Sequence, residues 1–254
     1  MRALKLLFLP IIFLFASAQR EPILVPEVSQ SRVEVRQGFT GADLLLYGAV
    51  IDPIGIEEGS EYDIVVVLKG PTEPIRLREK DRIAGIWMNA ETSDFRSAPS
   101  FFAVASSAPV EAIVDERTAA IYELGTGFIQ LSPSGDIDPE KQARFTEGLV
   151  DLRRRQELYK EDPEGVRISE GVLYQARIEL PSNVTTGPYT AETFAIANGR
   201  VLASATAKID VEKVGLEGRV VRAAEERSFW YGLLAIILSL GMGWIAGRLF
   251  ARSG

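Results

Sequence analysis

The 254-residue chain contains no cysteine and no histidine. Without them there are no disulfides, thiolate nucleophiles, imidazole bases or lipid-carrying anchor cysteine, and most zinc sites are excluded as well. A domain built this way must stand on its apolar core. The chain is also short of long polar or low-complexity stretches, and no internal repeat is visible. Hydrophobic residues make up 46% and charged residues 25%, enough apolar content for a folded core.

Acidic and basic residues are both missing from two terminal runs. Arg2 and Lys5 precede an apolar stretch from Leu6 to Ala16, and Ala16, Ser17 and Ala18 follow as small residues. This is the order of a secretory signal peptide over residues 1–18, with cleavage expected before Gln19. The stretch is interrupted by Pro10 and is too short for the ~30 Å of a bilayer core. At the other end Phe229 to Gly247 is uncharged over 19 residues, which at about 1.5 Å per residue crosses the hydrocarbon. Phe229, Trp230, Tyr231 and Trp244 suit the two interfaces, and Arg248 and Arg252 the polar layer beyond. A transmembrane helix is therefore expected over 229–250, with a tail at 251–254. Arg219, Arg222 and Arg227 on its N-terminal side leave the basic-residue count undecided, so orientation rests on the signal peptide, which exports the bulk of the chain.

With Arg2, Lys5, Arg248 and Arg252 set aside, 24 basic residues face 35 acidic ones. That balance argues against a nucleic-acid partner, and against a large face lying on an anionic membrane, leaving lipid contact to the helix.

Between the ends the hydrophobic period is two. Candidate strands run through Val33–Val35, Asp43–Val50, Tyr62–Leu68, Ile75–Arg78, Ile83–Met88, Phe101–Ser106, Val172–Leu180, Tyr189–Ala197 and Val201–Val211. The last two flank Asn198–Gly199, a strong hairpin signal, and with Leu180–Pro181 before them they pattern like the closing strands of an immunoglobulin-like sandwich. From Pro109 to Gly165 the period changes. Asp115 caps a short helix ending near Gly125; Asp138 caps a second one, with Pro139 at its first position, Phe145, Leu149, Leu152 and Tyr159 on one face, and Pro163 as its stop. The expected fold is mostly β: an immunoglobulin-like β-sandwich over 19–212 with a helical insertion at about 109–165, a juxtamembrane segment at 213–228 and one C-terminal transmembrane helix.

Phe39–Gly41, Gly85–Asn89 (GIWMN), Phe102–Ser107 (FAVASS), Gly187–Glu192 (GPYTAE) and Val211–Glu217 (VEKVGLE) resemble a family of alphaproteobacterial transmembrane proteins (Alph_Pro_TM-like), over most of the mature chain. The family has no assigned reaction or ligand, so no site residue carries over. The resemblance implies a bacterial inner-membrane location facing the periplasm, and an association with sulfur-assimilation genes and a sulfite-exporter-type permease. In that setting the sequon at Asn183–Thr185 reads as incidental.

No catalytic spacing is visible. Glu57 and Glu58, Glu61 and Asp63 beside Tyr62, and Asp136 and Asp138 sit where turns and caps want carboxylates, and Asp136–Glu140 is only a fragment of a calcium loop. No cofactor is implied. Trp87, Phe101 and Phe102 read as core aromatics, with a binding surface the alternative for Trp87. Arg153, Arg154 and Arg155 mark either a solvated helix face or a docking surface. The sharpest interaction signal is in the membrane helix, where Ala235, Ser239, Gly243 and Gly247 recur every four residues and make one face small. The chain is thus expected to be a noncatalytic, membrane-anchored periplasmic accessory subunit of a transporter or envelope complex. Its helix would pair with another membrane protein, either a second copy or a polytopic permease. The rivals are a periplasmic ligand-binding or sensory domain, which needs a deep polar pocket, and a carboxylate hydrolase, which needs two facing carboxylates.

Overall fold

The computed structural model describes residues 23–35, 40–51, 62–213 and 228–250. The signal-peptide reading at 1–18, Glu57, Glu58, Glu61 and most of the juxtamembrane segment lie outside the described residues. The rest is mostly β, in several sheets, with one apolar helix at the C-terminal end.

The first sheet has the order β1 (Ile23–Val28), β3 (Ala42–Ile51), β11 (Leu173–Leu180), β10 (Val166–Ser169), all antiparallel. It is covered on one face. In β11, Tyr174, Ala176, Ile178 and Leu180 are buried while the residues between them are exposed, which is the alternation of a half-buried strand. Gly48 is required at its centre: a Cβ there would sit 2.2 Å from the Val25 carbonyl oxygen and 2.7 Å from the Tyr174 hydroxyl, forcing β1 off β3.

The second sheet has the order β2 (Arg32–Val35), β13 (Arg200–Lys213), β12 (Gly187–Ala197), β4 (Asp63–Lys69), β7 (Phe102–Ser106), β9 (Tyr159–Asp162). Its two outer pairings, β2 with β13 and β9 with β7, are parallel. Ile64 to Leu68 are buried without a break, as a strand covered on both faces requires. Asn198 and Gly199 both have positive φ, giving the tight turn between β12 and β13 that their sequence announces. At the other end of β12 the Tyr189 hydroxyl donates to the Thr185 carbonyl at 2.8 Å, and its ring lies 5.9 Å from that of Phe101. Burial pushes the Tyr189 phenol up to about 12.

The third sheet is a long ribbon, β5 (Thr72–Ile83) paired with β6 (Ile86–Pro99), with a short β8 (Ser132–Pro133) on the β6 side. It continues the second sheet. After the Lys69–Phe102 pair, the Gly70 amide donates to the Phe101 carbonyl and the Ser100 amide to the Pro71 carbonyl, and Thr72 then pairs with Pro99. β4 and β13 are both antiparallel to β12, so they run the same way. The ribbon therefore leaves the second sheet at the end where β13 finishes.

The insertion contains α1 (Val110–Ile113), α2 (Glu116–Tyr122) and α3 (Pro139–Arg155). Asp115 and Asp138 cap as their positions predict: Asp115 accepts from the Thr118 amide, Asp138 from the Glu140 amide. The second helix ends sooner than the sequence suggests. Arg155 is its last residue, Tyr159 opens β9 instead, and Leu152 is 47% exposed. Tyr159 keeps the helical spacing from Leu152 by coincidence; its ring is buried against Phe102 at 6.1 Å and its hydroxyl donates to the Pro99 carbonyl. The final helix, α4 (Ser228–Phe250), has no buried side chain among the described residues of its apolar window from Tyr231 to Arg248.

Candidate functional site

Two of the described carboxylates singled out in the sequence, Asp63 and Asp138, have structural partners. Asp63 accepts from the Ser107 hydroxyl at 2.7 Å, and Asp138 is occupied as a helix cap. Asp136 lies in an open polar groove with Ser134 and Lys141. Among the described residues, no three acidic side chains converge to hold a metal ion. The arginines of α3 are also engaged within the chain: Arg153 with Glu73 at 2.8 Å, Arg154 with Thr126 and Glu161, Arg155 with Asp151.

A charge cluster that no sequence pattern singles out lies on the face of the second sheet that meets α2. Lys69, the last residue of β4, holds Glu123 at 2.7 Å and Glu192 at 3.1 Å, beside the rings of Tyr122 and Phe194, which meet edge to face. Partial burial pulls the Lys69 ammonium down, but hydrogen bonds and charge from the two carboxylates outweigh it and hold its pKa above the ordinary lysine range. A lysine closing an otherwise buried strand was the available signal; its partners are 54 and 123 residues away.

Lys69→Met removes the cation between two facing carboxylates and should lower stability by about 1–2 kcal/mol. Because the lysine pKa is raised on folding, its contribution is complete below the unfolded value and is lost only as pH rises through the folded one. The difference between wild type and variant in urea melts should therefore stay flat from about pH 7 to about pH 9. A difference that shrinks within that window would contradict the assignment.

Trp87 is not a core aromatic. It is 67% exposed at the tip of the β5–β6 ribbon, beside Ile83, Ile86 (70% exposed) and Met88. The segment Ile83–Met88, expected as a strand, is a two-residue turn at Ala84 and Gly85 with a strand end on either side. Phe101 and Phe102 are buried as expected.

On α4 the sequence places Ala235, Ser239, Gly243 and Gly247 along one side. All four are exposed, and a Cβ added at Gly243 or Gly247 would meet nothing within 4 Å. Near the far end the Arg248 guanidinium lies 5.6 Å from the centre of the Trp244 ring.

The family model described as "Putative transmembrane protein (Alph_Pro_TM)" matches residues 23–252. The chain belongs to this family. No curated protein matches it. Family and apolar C-terminal helix together fit a single-pass membrane protein.

Proposed function

We propose that this family member is a noncatalytic accessory subunit of an inner-membrane transporter or envelope complex, with its bulk in the periplasm and its C-terminus in the cytoplasm. The observation that carries the reading is the uncovered small-residue face of α4, next in the chain to a folded domain whose described carboxylates cap helices and make ion pairs. In lipid, helices associate by close packing, and a face of Ala235, Ser239, Gly243 and Gly247 lets a neighbour approach closely. A cleaved signal peptide at residues 1–18 accounts for the orientation.

The domain is taken as an immunoglobulin-like sandwich. Support comes from the strand order, in which β1-β3-β11-β10 answers to A-B-E-D and β2-β13-β12-β4-β7 to A′-G-F-C-C′. The Tyr189 hydroxyl bonding back across the turn before β12 matches the tyrosine corner of such domains. Such a sandwich is a scaffold for surfaces, so this likeness leaves the function to the site.

Purification of the full chain in mild detergent should recover a polytopic membrane protein with it. Recovery of the chain by itself, after crosslinking in intact membranes as well, would sink the proposal. The sulfur-related permease implied by the sequence resemblance is one identity the recovered partner can take.

A further inference from the structure

We infer that the β5–β6 ribbon tip is a second membrane contact, seating Ile83, Ile86, Trp87 and Met88 in the anionic surface of the same bilayer that α4 enters. The inference rests on α4 crossing that bilayer and is independent of any partner of the helix.

Three observations converge on the tip. The first is its apolar surface: the four side chains are 48–70% exposed, and every residue from Lys80 to Ala90 is exposed. The half of the ribbon nearer the sandwich is by contrast clasped by α3, through Arg153 to Glu73 and Arg144 to Glu79 and Glu91. Ile75 and Leu77 pack there against the core. Beyond Glu79 and Glu91 nothing in the described chain covers the ribbon.

The second is charge. The soluble part is acidic overall, yet Arg78, Lys80 and Arg82 alternate along one face of β5 just behind the apolar tip. No ion pair engages them among the described residues, whereas neighbouring Glu79 is held by Arg144. Asp81 is the nearby exception, and its carboxylate accepts from the Arg82 amide. An apolar tip with an aromatic ring and a basic collar is the chemistry of an interfacial anchor on anionic lipid.

The third is reach. The ribbon leaves the sandwich at the same end as β13, and its strand β5 rises about 36 Å from Thr72 to Ile83. The chain between Lys213 and Ser228 spans at most about 54 Å even when fully extended. The tip and the entry of α4 are therefore within covalent reach of one plane. The net charge behind the expectation that lipid contact belongs to the helix alone does not resolve this basic face of β5.

The natural absence of cysteine allows a direct test. Full-length Met88→Cys, carrying a nitrobenzoxadiazole label, would be reconstituted in nanodiscs of phosphatidylcholine, with or without phosphatidylglycerol, that contain nitroxide lipids. Arg200→Cys, beside the turn at the opposite end of the sheet, serves as the distant control. Lipid nitroxides should quench the label at residue 88 in anionic discs and spare the label at 200. Arg78→Gln with Lys80→Gln should lower the docked-to-free ratio by about fivefold per residue neutralised. Ile86→Ser with Trp87→Ser should release the tip. Equal quenching at 88 and 200 would overturn the inference. So would a label at 88 shielded by crosslinking to another protein without lipid quenching, or docking as strong on neutral discs as on anionic ones. Loss of chain from the disc fraction would instead mean that α4 fails to insert, a separate failure.

Discussion

Replacing Gly243 and Gly247 together by leucine is expected to part the chain from its proposed membrane partner while α4 stays in the bilayer. Both glycines are on the exposed small-residue side of the helix, with nothing within 4 Å of the position a Cβ would take. A lone helix therefore tolerates the two leucines, and their apolarity keeps insertion favourable. A neighbouring helix packed on that side does not tolerate them, because each added isobutyl group holds the backbones apart. Association should weaken by at least about tenfold, equivalent to losing about 1.4 kcal/mol of packing. Ile237→Ala and Leu238→Ala, turned away from the stripe, should leave copurification intact at equal membrane abundance. If the double leucine variant keeps its partner as these controls do, the stripe is composition and docking belongs to the domain outside the membrane.

Phe101→Ala should be the most damaging single truncation in the soluble core, costing about 3–5 kcal/mol. Phe101 is fully buried where the second sheet passes into the ribbon, and its carbonyl accepts from the Gly70 amide. Its ring meets that of Tyr189, so the cavity would open beneath the same tyrosine that ties the start of β12 to Thr185. Against a total stability on the order of 5–15 kcal/mol, such a loss leaves a marginal domain. The check is a urea melt of the full chain in detergent, followed by the β signal in circular dichroism. The midpoint should fall with little change in slope. A loss under about 1 kcal/mol would mean that neighbours collapse into the space.

The parts of the fold readable from residues are those set by local requirements. Asp138–Pro139 and Asn198–Gly199 marked their helix and hairpin because capping and positive φ are local requirements, met by the same residues wherever they occur. The alternation in Leu173–Leu180 was equally legible, since one face of that strand is wet. Tyr159 misled because its distance from Leu152 fits a helix face, while the backbone turns at Gln156 and Glu157, the latter with φ 60°. Trp87 has no local mark that separates a core aromatic from an exposed one, and Gly85 beside it serves the turn of a ribbon reaching past the core. Only tertiary position separates those readings. The Lys69 cluster was invisible for a related reason: its members come from three separate elements, and no local pattern links them.

The pairing of β13 bears on mechanical load. β13 is the last described strand before the membrane helix, and it is bonded along its length to β12 and, over Asp210–Lys213, to the parallel strand β2. Tension entering from α4 along β13 would act along these strands. Their hydrogen bonds would then have to slide and break together, instead of opening one at a time as in an unzipped edge. The first element to bear the pull is thus the parallel clamp of β2 on β13, so force transmitted through the bilayer meets a shear lock at the point where the chain leaves the second sheet.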